Sequence, residues 1–241
     1  HPALFPIGSA AKDDTCPRDT RSCWGRRRRG RPDHARWRCG VEPCRVTTPD
    51  AKDDLRSYLQ TAREALVWKL EGLSEYDVRR PLTRTGTNLL GLVKHMAGVE
   101  AGYLGEVFGR PFPELLPWMA ADAEVNADMW ATAAESREQL VDLYRRVWVH
   151  SDTTITELDL DAWGSVPWWG PDRNSVSLHQ VLVHLIAETH RHAGHADIVR
   201  ELVDGAAGWR SGTSNLPEED ETWWTTYRDR LEAVAAAAGY R

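Results

Sequence analysis

The body of this chain has no cysteine. All four, Cys16, Cys23, Cys39 and Cys44, fall in the first 44 of 241 residues. That removes a protein-borne thiolate from whatever chemistry residues 49–241 perform. Their spacing in the N-terminal stretch matches no standard C-x2-C zinc pattern. No apolar run approaches the eighteen residues that a membrane-spanning helix needs. The N-terminus lacks the apolar core of a secretory signal, so the expected compartment is the cytoplasm. No stretch alternates with period two, and no motif repeats at 20–50 residues, which argues against a sheet protein and a solenoid. Positive charge is also scarce where it would matter. Residues 1–48 carry eleven Lys/Arg against five Asp/Glu, so the overall net charge of -6 leaves -12 for residues 49–241. An acidic body is a poor nucleic-acid binder, because phosphate neutralisation needs clustered cations.

Residues 1–48, with "GRRRRGRPDHARWRCG", read as a basic, Cys/Arg-rich tail without periodicity, a composition typical of disorder. Residues 49–241 read as one all-α domain. A first helix follows "TTPD", with Thr48 as cap, Pro49 at the first position and Leu55, Leu59, Ala62, Leu66 and Leu70 on one face, ending at Gly72. A second begins at Thr87 and stops at Gly109. The pattern predicts a third over 120–150. A fourth runs from Ser177, with Gln180 completing a capping box, to Val203, with Gly205 and Gly208 closing it. A last helix covers 218–238. Long helices with moderate loops predict an up-and-down bundle with one long crossover.

The fourth helix contains "HLIAETHRHAGHAD", residues 184–197, with four histidines and a glutamate in an otherwise apolar stretch. At about 100° per residue, and with His184 at zero, Glu188 falls near 40°, His192 near 80° and His195 near 20°. Val181, Leu185, Val199 and Leu202 share that broad face, so the stripe is expected to point inward. His179 and His190 fall on the opposite side. Asp197, at about 220°, is structural by the same count. Glu188 and His192 are four apart, which lets a carboxylate and an imidazole meet one ion. Burying such groups is costly unless they are paired or coordinate a metal. The best third ligand is His95, in "LVKHMAGVE", which shares a face with Leu92, Val99, Gly102 and Tyr103. Three protein ligands leave a position open, the pattern of a catalytic zinc site.

"LLGLVKHMAGVEAGYLGEVFGRPFPE" and, much later, "PWWGPDRNSVSLHQVLVHLIAETHRHAGHADIVRELVDG" together resemble the actinobacterial branch of the DinB/YfiT-like superfamily. The resemblance covers about residues 50–208. It implies a four-helix bundle, here with an additional C-terminal helix. It also implies a metal held by a histidine of the second helix and an H-x-x-x-H or E-x-x-x-H pair of a later one, here the latter. Those positions are His95, Glu188 and His192. The glutamate variant is most similar to mycothiol-dependent maleylpyruvate isomerase. On this resemblance His184 and His195 become candidates for orienting ligands or moving protons, with His195 alternatively a fourth ligand. The implied cofactors are a divalent metal (Zn2+, with Fe2+ or Ni2+ as alternatives) and mycothiol as thiol co-substrate. A small-molecule substrate and a homodimer are the implied partners, with no nucleic acid or membrane. Arg191, at about -20°, is a candidate for a substrate carboxylate, with pairing to Glu188 or an outward reach as the alternative. Trp168 and Trp169 can wall the pocket mouth or pack over the bundle end.

Three functions remain open for the helical body, and nucleic-acid binding through the arginine tract of residues 1–48 ranks fourth behind them. One is a metal-dependent thiol transferase or isomerase acting on an electrophilic small molecule. A second is a metal-dependent hydrolase or non-haem iron oxygenase, since two histidines and a carboxylate also describe the iron facial triad. A third is a non-catalytic metal-binding or stress-associated bundle.

Overall fold

A computed structural model describes residues 50–214 and 216–239. The basic tail, its cysteines, Thr48 and Pro49 lie outside the described residues. Six helices and one small hairpin follow in order: α1 (Ala51–Trp68), α2 (Glu75–Arg79), α3 (Leu89–Leu104), α4 (Arg137–Glu157), β1 (Trp163–Ser165), β2 (Ser175–Ser177), α5 (Leu178–Asp204) and α6 (Glu221–Ala238). The bundle is α1, α3, α4 and α5. Helix α1 packs on α5 and α4, and α3 packs on α4 and α5, which closes the ring. No described helix is long and apolar enough to cross a membrane.

The caps explain where the elements begin. Asp50, not Thr48, caps α1, its side chain accepting from the Lys52 N–H. Asn88, not Thr87, caps α3 by accepting from the Gly91 N–H at 2.8 Å. The helix expected over 120–150 starts only at Arg137 and runs on to Glu157. The Ser136/Gln139 pair forms a reciprocal capping box there. Upstream, Asn126 adopts the left-handed region at φ 62°. Val125 is exposed, and Met129 and Ala131 pack on the core from irregular backbone, so no continuous apolar stripe holds a helix in that stretch. At α5, Ser177 accepts from the Gln180 N–H, and Gly205 at φ 78° ends the helix in a left-handed cap. The turn-rich segment before α5 is an antiparallel hairpin, with Gly164 opposite Val176. Its strands are too short for alternation to reveal them.

Two apolar clusters fill the bundle. One joins α1, α3 and α4 and reaches Ala196 and Val199 of α5. The other lies around Tyr103, Ile155 and the Leu178–Leu185 segment. On α5 these two sets leave a gap between Leu185 and Ala196, and Glu188 and His192 occupy it. A buried ion pair adds specificity to the packing. The Arg63 guanidinium of α1 meets Glu100 of α3 through two hydrogen bonds, of 2.6 and 3.1 Å, with both side chains sealed from solvent. Burial works against the charge on Arg63, but Glu100 and Asp152 hold it protonated.

Candidate metal centre

Helix α3 contributes His95 and helix α5 contributes Glu188 and His192. Ligand atoms of all three lie within 4.8 Å of one another, the one such cluster among the described residues. The His95 and His192 rings meet edge to face with centroids 4.8 Å apart. His192 Nε2 is 3.1 Å from a Glu188 carboxylate oxygen. Its Nδ1 is buried and has no partner. Burial, and then the neighbouring His95, push the His192 pKa below the ordinary imidazole value. A neutral imidazole is the form that binds a metal.

His95 is fixed from behind. Its Nδ1 lies 2.6 Å from an Asp128 carboxylate oxygen. Asp128 sits on a single 3-10 turn, Ala127–Met129, in the connection between α3 and α4. That turn and the residues just after it are tied to α3 at three further points. The Asn88 amide donates to the Met129 carbonyl at 3.1 Å. The Lys94 ammonium donates to the Trp130 carbonyl at 3.0 Å and pairs with Glu135 at 2.9 Å. The residue that caps α3 thus also helps place the carboxylate behind His95. With Nδ1 committed to Asp128, Nε2 is left for the centre, the usual arrangement behind a metal-bound histidine. Sequence reading missed Asp128, because an irregular loop has no periodicity and the segment was expected to be helical.

The buried face of α5 is rotated from the expected one. Leu185, His192 and Ala196 are deeply placed, whereas Leu202 is 62% exposed. Counted from His184, the buried side centres near 110° rather than near 40°. It does so because α5 is wedged between α1 and α3. His184 and Glu188 therefore sit at the shoulder, half-buried, and His195 is exposed. The His195 ring lies 5.4 Å from that of His192, outside the three-residue cluster. His184 packs against Tyr103, at 4.7 Å, and Trp169, at 5.7 Å. Trp168 is half-exposed and donates from its indole N–H to the Tyr103 hydroxyl at 3.4 Å. Arg191 is exposed and makes no ion pair among the described residues; Glu188 is taken by His192 instead. His179 and His190 are exposed, and Asp197 pairs with the buried Lys69 ammonium.

Two imidazoles and one carboxylate suit a divalent ion of borderline softness. The unpartnered buried nitrogen of His192 and the carboxylate behind His95 fit such an ion as well.

A family model described as mycothiol-S-transferase matches residues 54–205, from the first turn of α1 through the end of α5, and leaves α6 outside. Among solved structures, the chain is similar to a conserved protein from Enterococcus faecalis. The identity is 15% over 66% of this chain and 100% of that one, with a TM-score of 0.50. At that identity the likeness concerns the fold alone. No curated protein matches the chain.

Proposed function

This chain belongs to the mycothiol-S-transferase family, and on that premise we propose that it joins a small thiol, mycothiol, to an electrophilic small molecule at a divalent metal centre. The observation that carries the proposal is the meeting of His95, Glu188 and His192 from two helices. These three would hold the ion, with zinc favoured by the donor set. When bound, the ion supplies Lewis acidity that lowers the pKa of a thiol in the open position. The chain encodes no thiol in its helical body, so the sulfur comes with the co-substrate.

The protein's residues do the rest. Asp128 holds His95 in one tautomer, while Glu188, one helical turn from His192, faces it as a fellow ligand. His195, exposed beside His192, takes the thiol proton and passes it to solvent; His184 is the alternative on the inner side. The sulfur then forms a bond to the electrophilic carbon. The carbon–leaving-group bond breaks, and the leaving group departs with the electron pair. Exposed Arg191 and His195 form a polar rim that suits the hydroxyl-rich body of the thiol.

The test is elemental analysis of protein purified without chelator or nickel resin, beside His95→Ala and His192→Ala. We expect about one zinc-like ion per chain in the parent. Both variants should lose it, together with mycothiol consumption against an alkyl halide. Unchanged metal content and turnover in His192→Ala would overturn the reading. Iron in place of zinc, with oxygen-dependent turnover, would replace it with an oxygenase.

A further inference from the structure

Beyond the metal centre lies a groove of about 700 Å³. Its floor is the face of α3 that continues past His95. Gly98, Val99 and Gly102 line it, the first two within about one helical turn of His95. The α3–α4 connection supplies one wall with Phe112, Leu116 and Met119, and Trp168 of the hairpin supplies the other. At two glycines the walls come close to the floor. A Cβ at Gly98 would come within 2.6 Å of Met119 Sδ, and one at Gly102 within 3.1 Å of the Trp168 ring.

The charges at this groove have one sign. Glu106 and Glu114 line it, and among the described residues no Lys, Arg or His does. Glu114 is held by Arg146 through two hydrogen bonds, of 2.6 and 2.8 Å. Glu106 is exposed and has no side-chain partner among the described residues. A carboxylate entering the groove would lose water against apolar walls and meet only a like charge. Most hydroxyls of a hydroxyl-rich thiol would face apolar walls there, with Glu106 as the one free carboxylate acceptor among the lining residues.

We propose that this groove is the acceptor subsite, that it takes a neutral apolar electrophile such as a benzylic or alkyl halide, and that it rejects anionic acceptors. The inference rests on the transferase reading for its chemistry, but binding in the groove can be measured without turnover. Its volume lies in the range of sites that enclose a small organic ligand. It opens beside Tyr103 and Trp168, whose rings meet at 5.2 Å, and Tyr103 in turn contacts His184 of the metal-bearing helix.

The experiment follows the Trp168 indole resonance of 15N-labelled full-length protein, identified by its loss in Trp168→Phe. Benzyl alcohol and phenylacetate, unreactive neutral and anionic probes, are titrated with no thiol present. We expect benzyl alcohol to shift the resonance with an affinity at least about tenfold that of phenylacetate, or about 1.4 kcal/mol. Glu106→Lys, at an exposed position, should shrink that ratio severalfold by admitting the anion. Phenylacetate binding as tightly as benzyl alcohol, or neither probe moving the resonance, would overturn the assignment. Failure of the transferase reading shows separately, as absent metal or absent thiol consumption.

Discussion

At His95 the two ring nitrogens have different tasks. Nδ1 faces Asp128 at 2.6 Å, and Nε2 is left for the centre. Removing the carboxylate's charge while keeping its shape isolates that support. Asp128→Asn should therefore weaken metal affinity by about 10- to 100-fold without removing a ligand. Competition with a chromophoric chelator measures this directly. Unchanged affinity would make Asp128 a surface partner and nothing more. His192 shows the opposite economy. Its Nδ1 is buried without a partner, a cost that a purely structural histidine would not be expected to carry. That one atom favours an ion-binding role over a packing role.

Among the elements, α3 carries the most responsibilities for its length. It contributes His95 and the groove floor, and it anchors the turn that bears Asp128. Gly91 lies where that turn touches the helix. A Cβ there would overlap the Met129 carbonyl, which is backbone and cannot swing aside. Gly91→Ala should displace the Ala127–Met129 turn, and Asp128 with it. The expected result is metal affinity reduced at least about tenfold, as for the loss of a supporting carboxylate, although every ligand is intact. Isothermal titration with zinc tests this, and wild-type affinity would show that the turn can move without consequence. The same region shows why the sequence misled at this scale. Residues 120–136 are rich in Ala, Asp and Glu, which resembles a helix start, but only Met129 and Ala131 of this stretch pack on the core, and Val125 is exposed. The helix waits for the Ser136 cap.

For the whole molecule, the ion and the fold are thermodynamically linked. An ion bound only by the folded chain stabilises it by mass action, so chelation should lower Tm. A pH dependence should then emerge in the metal-free protein. Burial, with His95 alongside, lowers the folded-state pKa of His192 below its unfolded value of 6.5. The unfolded chain binds that proton more readily. The stability contributed by the neutral ring is therefore complete above 6.5 and declines as pH falls from there toward the folded value. His190, whose surface is exposed but whose ring is partly desolvated by its neighbours, is lowered in the same direction, so His192→Gln should reduce the slope of Tm against pH rather than abolish it. Scanning calorimetry of chelated parent and variant between about pH 5 and 7.5 covers the window. A parent Tm that is flat across it would contradict the assignment.

Local signals were enough for much of this protein. The helical class, the acidic cysteine-free body, the start of α5 at Ser177 and the pairing of Glu188 with His192 all follow from composition, caps and i,i+4 spacing. These are properties of neighbouring residues, and a helix fixes them before anything packs against it. His95 was also legible, because a lone histidine on an apolar helix face stands out. Other features depended on packing between segments distant in sequence. The rotation of α5 that exposes His195 and Leu202 is set by how it wedges between α1 and α3. Asp128 reaches His95 only because Asn88 and Lys94 pin an irregular loop to α3. The groove exists because Met119 and Trp168, from two different connections, close over Gly98 and Gly102. Periodicity determines which residues share a face; only the tertiary structure decides which face is buried and what meets it.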